Sequence, residues 1–411
     1  MLKITAETLE GSWTKTIKAI TEKGNLIKED IPFVEVQDLF ILYNNAFEVT
    51  YSNYVSVFGD TYLDYMSRVY SPDGDKVTGR NYFDLIYNHS GVNQVKNIVR
   101  LLEKEPLSRS AIITLANPIA EKKPCVISIS FSIRNGFLSM SVFFKSSDIA
   151  KKLIPDMIEI SKIHKVISQK LHIPRGHVSL HILCAQLYTS DITLLKQKLE
   201  KLKESEYFKT ENIVENWDKE ADRWDEYLKD PQHYVNFENG YSRYIDFMNK
   251  YINHTKNKAI ALDSGSGTGV ISEILNKKGY NTIGIDISPK MLSNAHRKNN
   301  VREYTLANSL DIPYEDAFFD IICSRGVLIS HVGKKYTDLF LKEHSRVLKK
   351  GGYLMIDFIT HFNRNELKKK KKKMFMSFND MVRKVEEFGF EVIARSGDDT
   401  NRVNAILCKK V

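Results

Sequence analysis

Apolar and polar positions alternate with a period of two from Val126 to Ile133 and again from Phe137 to Phe144, with Ser filling most of the polar slots. Between the two runs lies Arg134-Asn135-Gly136. Alternation on both sides of Asn-Gly predicts a β-hairpin. Antiparallel pairing would then bring Lys145, Ser146, Ser147 and Asp148, at the end of the second strand, back beside Cys125, just before the first. Around this hairpin the period changes. Leu9 to Lys23 reads as a helix that stops at Gly24, and residues 33–70 as strand with some helix. Asp73-Gly74-Asp75 is a turn. Val95, Ile98, Val99 and Leu102 recur at helical spacing inside Val92–Lys104. Ala111 to Leu115 is a short strand. Ile149 to Leu171 is mostly helical, with Ile158, Ile160, Ile163, Val166 and Ile167 as its apolar face. Val178 to Leu187 is a further strand.

After Asp191 the composition turns charged. Leu194 to Glu204 reads as an amphipathic helix without Gly or Pro, which places a domain boundary near residue 205 and domains at 1–205 and 206–411. Beyond it, short apolar strands alternate with helices. Strands are expected at Ala259–Asp263, Thr282–Asp286, Phe319–Ser324 and Tyr353–Ile359, and helices at Val270–Lys278, Pro289–Lys298 and Tyr336–Leu348, the last ended by Lys349-Lys350-Gly351-Gly352. Such alternation means a mostly parallel sheet with helices on both faces.

The 411 residues suit two or three domains, and 42% hydrophobic with 27% charged residues is ordinary for globular protein. The net charge of +9 fits small phosphorylated substrates as well as polyanions, and nucleic acid is the less favoured partner. The Lys368–Lys373 run reads as a solvated surface. Cys125, Cys184, Cys323 and Cys408 form no Cys-x-x-Cys pair. His331, His344 and His361 are scattered, so no metal is expected. No apolar run is long enough to span a membrane, and Met1 to Glu7 holds no apolar signal core. A reduced, cytoplasmic, soluble protein is expected.

Two stretches carry chemistry. A thiol beside cations is an activated nucleophile, which singles out Cys125. Pro124-Cys125, the hairpin and Lys145-Ser146-Ser147-Asp148 together resemble the thymidylate synthase family, whose pattern is Pro-Cys, hairpin, Gln-Arg-Ser-x-Asp. Asp156 falls where that family reads the pyrimidine. Ala185 to Ser190 resembles its sugar-holding segment and Leu107 to Ile113 its Ser-Arg-Arg segment. The likeness runs over roughly residues 1–190 and includes Ala6 to Trp13. It implies Cys125 as nucleophile, and Arg109, Lys145 and Ser146 on the 5′-phosphate. It also implies Asp148 toward folate and pyrimidine, Gln186 and Tyr188 on the sugar, and Tyr82 as a lining residue. The Arg109 position reaches across from a partner subunit, which implies a homodimer, and the implied cofactor is 5,10-methylenetetrahydrofolate. Three departures stand out. Ser110 replaces a second Arg, Lys145 replaces an Arg and so loses bidentate phosphate binding, and Asp156 replaces an Asn. An amide suits uracil; a carboxyl sharing a proton suits cytosine, which offers an acceptor at N3 and a donor at its 4-amino group. Family members with Asp there are cytidylate hydroxymethylases.

The second stretch is Ser264-Gly265-Ser266-Gly267-Thr268-Gly269 after a strand, followed by Asp286 at the end of the next strand, where a carboxylate can hold a ribose. By itself a glycine loop of this kind would also serve NAD. With Asp263, Asn308 in Ala307–Pro313, Phe318 to Ser324 and Arg346 to Gly352, residues 213–411 resemble class I S-adenosylmethionine-dependent methyltransferases. The implied cofactor residues are Asp263, Gly265, Gly267, Gly269, Asp286, Asn308 and Ser324. Asn308 stands where an Asp commonly faces the adenine amino group. Trp217-Asp218 and Trp224 to Tyr227 resemble the helix that covers the cofactor.

Taken together, the resemblances imply an α/β protein of two domains, a thymidylate synthase-like α+β domain followed by a Rossmann-like methyltransferase domain. They point to one-carbon addition at C5 of CMP or dCMP, then methylation of a pyrimidine-derived product. O-methylation in a pathway to a bacimethrin-like antimetabolite is the preferred pairing, by analogy alone. Two alternatives stay open: a dUMP-specific methylase with an independent methyltransferase, and a nucleic-acid-modifying methyltransferase whose first domain only docks its substrate.

Overall fold

The computed structural model describes residues 1–6, 8–44, 52–74, 81–116, 123–199, 210–230, 239–298, 301, 303–330, 334–360, 377–398 and 400–411. Within it the chain divides into two compact units, 1–210 and 211–411. The boundary expected near residue 205, and the second half of the charged helix, fall in 200–209, outside the described residues. The Lys368–Lys373 run, His331 and His361 also lie outside them.

The first unit holds one mixed sheet. Its strands are β1 (Leu2–Ala6), β2 (Asn25–Ile27), β3 (Phe33–Tyr43), β4 (Ile112–Thr114), β5 (Val126–Arg134), β6 (Phe137–Asp148) and β7 (Arg175–Tyr188). They lie in the order β1-β3-β7-β6-β5-β4, with β2 against β3. Its helices are α1 (Leu9–Lys23), α2 (Ser52–Phe58), α3 (Thr61–Val69), α4 (Tyr82–Tyr87), α5 (Gln94–Lys104), α6 (Leu153–Leu171) and α7 (Thr189–Leu199). The β5–β6 hairpin turns through Asn135 (φ 52°) and Gly136 (φ 78°). Both lie in the left-handed region, as a two-residue turn matched to strand twist requires. Helix α1 begins where Thr8 Oγ1 accepts the Gly11 N–H at 3.1 Å. It ends at Gly24, where a Cβ would come within 2.4 Å of Val34. Helices α1 and α6 pack on β3, β6 and β7, burying Trp13, Ile17, Ile160, Ile163 and Ile167. Val166, expected on the apolar face of α6, is 38% exposed and lies off that stripe.

The second unit opens with α8 (Thr210–Glu220), α9 (Trp224–Lys229) and α10 (Gly240–Tyr251). Then come β8 (Ile260–Ser264), α11 (Val270–Lys277), β9 (Asn281–Asp286), α12 (Pro289–Lys298), β10 (Glu303–Leu306) and β11 (Phe319–Ser324). It closes with α13 (Val327–Ser330), α14 (Lys334–Val347), β12 (Leu348–Ile359), α15 (Phe378–Glu387), β13 (Phe390–Ser396) and β14 (Val403–Lys410). The sheet runs β10-β9-β8-β11-β12-β14-β13. It is parallel through β12, and β14 is inserted antiparallel between β12 and β13. Strand β12 starts at Leu348 rather than at the expected Tyr353, because Gly351, at φ 77°, lets the chain bend without leaving the sheet. Among the described residues no helix is long and apolar enough to cross a membrane. Among them too, no three His, Cys, Asp or Glu are grouped to hold a metal.

Candidate active sites

In the first unit one end of the sheet collects the chemistry. Strands β6 and β7 are parallel and finish together, with Ser146 opposite Cys184 and Asp148 opposite Gln186. Strand β5 starts at this same end, and the Lys145 N–H donates to the Cys125 carbonyl at 2.8 Å. The β5–β6 register slips between Val126 and Ser128. A bulge one residue past the cysteine is a way of re-aiming a side chain at a strand end. The Cys125 N–H donates to Tyr82 Oη at 3.1 Å. The Tyr82 ring lies 4.8 Å from that of Tyr70, and Tyr70 Oη donates to Asp156 Oδ1 at 3.1 Å. A continuous chain thus joins the cysteine backbone to the carboxyl through two packed tyrosines. Sequence reasoning found Cys125, Tyr82 and Asp156 but missed Tyr70, which no spacing rule marks out.

Asp156 stands in the first turn of α6, where the helix field favours a carboxylate by roughly 0.3–1 kcal/mol. Burial works the other way and wins: at 4% exposure its pKa is pushed from 3.8 up to about 7, against the Tyr70 hydrogen bond and the Lys152 charge, with Glu159 adding to the rise. Three units correspond to about 4 kcal/mol favouring the neutral form. A carboxyl poised this way both donates and accepts near neutral pH.

The remaining candidates divide. Asp148 Oδ1 accepts the Lys151 N–H at 3.2 Å, and burial raises its pKa. Gln186 reaches Glu35 at 3.5 Å, and Tyr188 packs edge-on to Phe33 with Lys151 over its ring. The Lys145 ammonium is exposed and touches the Lys123 carbonyl at 3.3 Å. Ser146 is half-buried on β6, and the neighbouring Ser147 hydroxyl is buried without a partner. Arg109 is exposed in the loop before β4. Among the described contacts it makes none with Cys125, Tyr82 or Asp156.

In the second unit the glycine loop leaves β8 with Gly265, Gly267 and Gly269 all at positive φ. A Cβ on Gly265 would sit 2.3 Å from Val327, and one on Gly267 3.3 Å from Trp224 Nε1. Asp286 Oδ2 accepts the Gly267 N–H at 2.8 Å and Oδ1 the Ser288 N–H at 2.9 Å, tying the loop to the end of β9. Asp263 is buried, accepts from Ser272 Oγ at 2.6 Å, and its pKa is pushed by burial up to about 7. Asn308 Oδ1 accepts the Leu310 N–H at 2.9 Å, while its Nδ2 is buried without a partner. The amide oxygen is thus engaged within its own loop, and the amide nitrogen is the atom left without a partner. Ser324 Oγ is occupied by the Ser264 carbonyl at 2.8 Å. Helices α8 and α9 are pinned over the loop by Thr268 Oγ1 to Asp225 and Ser288 Oγ to Asp218, both at 2.5 Å. His344 is buried between the Phe340 carbonyl and Ser264 Oγ, and burial pushes its pKa down to about 3.

Residues 43–227 match the family model for thymidylate synthase, and 262–356 that for a methyltransferase domain. The chain joins a thymidylate synthase domain to a methyltransferase domain. A Methanosarcina barkeri protein described as "Putative thymidylate synthase" is 22% identical over 46% of this chain and 90% of its own length. The malonyl-[acyl-carrier protein] O-methyltransferase of Hamiltonella defensa is 28% identical over 27% of this chain and 42% of its own. A solved Listeria monocytogenes structure described as a "putative S-adenosylmethionine dependent methyltransferase" aligns over 41% of this chain and 99% of its own, at 15% identity and a TM-score of 0.35.

The two domains imply methylenetetrahydrofolate and S-adenosylmethionine. The residues of the methyltransferase domain fit its cofactor. A Cβ on Gly265 would clash with Val327, the Asp286 oxygens have lone pairs left for ribose hydroxyls, and Asn308 Nδ2 and Ser266 Oγ are buried donors without partners. In the thymidylate synthase domain, the half-buried Asp148 carboxyl at the end of β6 offers an acceptor for the donor edge of a pterin. Ser266 and Ser147 escaped sequence reasoning because an orphaned hydroxyl shows only once the chain is packed.

Proposed function

We propose that the chain is a bifunctional pyrimidine-modifying enzyme of the cytoplasm. Its first domain hydroxymethylates C5 of a cytosine nucleotide, CMP or dCMP, and its second methylates a pyrimidine-derived product. The observation that carries this reading is Asp156, a buried carboxyl poised near pH 7 and linked through Tyr70 and Tyr82 to Cys125. Asp156 pairs with N3 and the 4-amino group and so orients C6 over the cysteine. The Cys125 sulfur adds to C6, and the electron pair released at C5 attacks the one-carbon unit that methylenetetrahydrofolate supplies when bound. Loss of the C5 proton and departure of the carrier amine leave an exocyclic methylene on the base. Water adds to that methylene, and the thiolate is expelled as the ring double bond re-forms. Lys145 and Ser146, with Arg109, hold the 5′-phosphate; Gln186 and Tyr188 meet the sugar. In the second domain S-adenosylmethionine supplies the methyl group. Asp263, Gly265, Gly267, Gly269, Asp286 and Asn308 hold it, Ser324 braces the loop, and α8 and α9 exclude water.

The first domain is read as forming a homodimer. Arg109 is exposed, and the sheet face away from α1 and α6 sets Phe40, His181 and Phe143 side by side on three strands, with Leu183 42% exposed beside them. Mass spectrometry of products from CMP, dCMP and dUMP, omitting each cofactor in turn, tests the whole reading. A hydroxymethylated cytosine product that needs the folate, and a further mass gain of one methyl that needs S-adenosylmethionine, are expected. Turnover of dUMP alone would overturn it.

A further inference from the structure

We propose that Tyr70 determines base selectivity by locking which oxygen of Asp156 carries the proton. This rests on the reading of Asp156 as the base-recognising group. Tyr70 follows α3, and its hydroxyl donates to Asp156 Oδ1 at 3.1 Å. Its ring is held against Tyr82 at 4.8 Å and 33°, and the Tyr82 hydroxyl is itself fixed by the Cys125 N–H. The phenol is therefore held in place and cannot swing away from the carboxyl without breaking that stack. It also stays protonated, since burial and the nearby Asp156, Tyr82 and Cys125 all oppose its ionisation.

A fixed donor at Oδ1 has one consequence for the carboxylic acid. A proton on Oδ1 would turn the buried phenol into an acceptor and leave its own proton without the carboxyl oxygen it now meets, so the acid proton resides on Oδ2. Oδ1 keeps a second lone pair, so the group offers an acceptor at Oδ1 and a donor at Oδ2, side by side. Cytosine offers the complement, a donor at the 4-amino group and an acceptor at N3. Uracil offers an acceptor at O4 and a donor at N3, and would need the acid proton on Oδ1, the position Tyr70 denies it. A mismatched buried pair leaves polar groups unsatisfied, which costs more than the matched pair gains. Tyr70 thus acts against the wrong base as well as for the right one. It is a positioning residue, acting through Asp156 and not on the reacting atoms.

The test is equilibrium binding of CMP and UMP, and of their deoxy forms, to full-length wild type, Tyr70→Phe, Asp156→Ala and the double variant. Tyr70→Phe is expected to narrow the cytosine-to-uracil preference by about tenfold, the worth of one hydrogen bond to an ionisable group. In the Asp156→Ala background the same change should leave the preference unaltered, because no group remains whose donor and acceptor atoms the phenol could order. An unchanged preference in Tyr70→Phe, or an equal loss in both backgrounds, would overturn the lock. Wild-type protein also tests the acceptor–donor pattern itself without any variant. A 2-pyrimidinone nucleotide, which keeps the N3 acceptor and lacks the 4-substituent, should bind more tightly than UMP. Equal or weaker binding would contradict the proposal. A wild type that prefers dUMP sinks the reading of Asp156 itself, whereas a cytosine preference indifferent to Tyr70→Phe sinks the lock alone.

Discussion

At the scale of single residues the account rests on two groups with different duties. In the proposed reaction Cys125 supplies the electron pair, so Cys125→Ser should cut C5 chemistry by a factor on the order of 1,000 or more while methyl transfer from S-adenosylmethionine persists. Tritium release from C5-labelled nucleotide and a separate methyl-transfer assay read the two. Asp156 supplies the proton pattern. With its pKa near 7 the donor form is present below that pH and lost above it, so affinity for the cytosine nucleotide should fall as pH rises from 7 to 9. The groups facing the carboxyl are Tyr70, Lys152, Glu159 and, more distantly, Tyr54. Tyr70 and Tyr54 are held protonated by burial, so the fall is assigned to Asp156; a flat binding profile measured calorimetrically would contradict this. The raised value also bears on folding. Relative to an unfolded carboxyl, the buried one contributes stability that is full below about pH 4 and is lost by about pH 7. Cys125 was singled out by its place at the hairpin's start and Asp156 by the family resemblance. Tyr70 was not, because it comes from the end of α3 through ring packing that no local pattern encodes.

At the scale of elements, what the sequence disclosed was local. Asn135-Gly136 between alternating runs determines the hairpin, and Thr8 and Gly24 bound α1, because in each case the deciding interaction spans a few residues. What it concealed was long-range. β1 is too short to stand out, and β14 takes its place between β12 and β13 by pairing that becomes visible only when the sheet is assembled. The glycine loop lies between these extremes, legible as a motif and explained by packing. Gly265→Ala would place a Cβ 2.3 Å from Val327 at φ 79°, a conformation costing an L-residue about 1–2 kcal/mol before the clash is counted. If the loop must hold that conformation to bind, S-adenosylmethionine affinity should fall roughly five- to thirtyfold by that strain alone. Adding Val327→Ala should recover only the part due to the clash, since the backbone strain stays. Titration calorimetry reads both variants, and unchanged affinity in Gly265→Ala would remove the loop from the cofactor site.

At the scale of the whole molecule, two domains on one chain imply two activities and one assembly. If Arg109 serves the partner's site, Cys125→Ala and Arg109→Ala proteins should each be inactive alone in C5 chemistry. Reassorted together, they should regain roughly a quarter of the wild-type sites, since half the dimers would pair one intact Cys125 with one intact Arg109. No recovery on mixing, or a solution mass equal to the single chain's 47.4 kDa, would remove the shared site. The claim on which the rest depends is that the first domain reads cytosine. Its most direct measurement is the rate of C5 tritium release from labelled CMP, dCMP and dUMP, each with methylenetetrahydrofolate, in water enriched in oxygen-18. Rapid release from a cytosine nucleotide, with the heavy oxygen appearing in a 5-hydroxymethyl group, is the predicted result. Release from dUMP alone, ending in an unlabelled 5-methyl product, would contradict it.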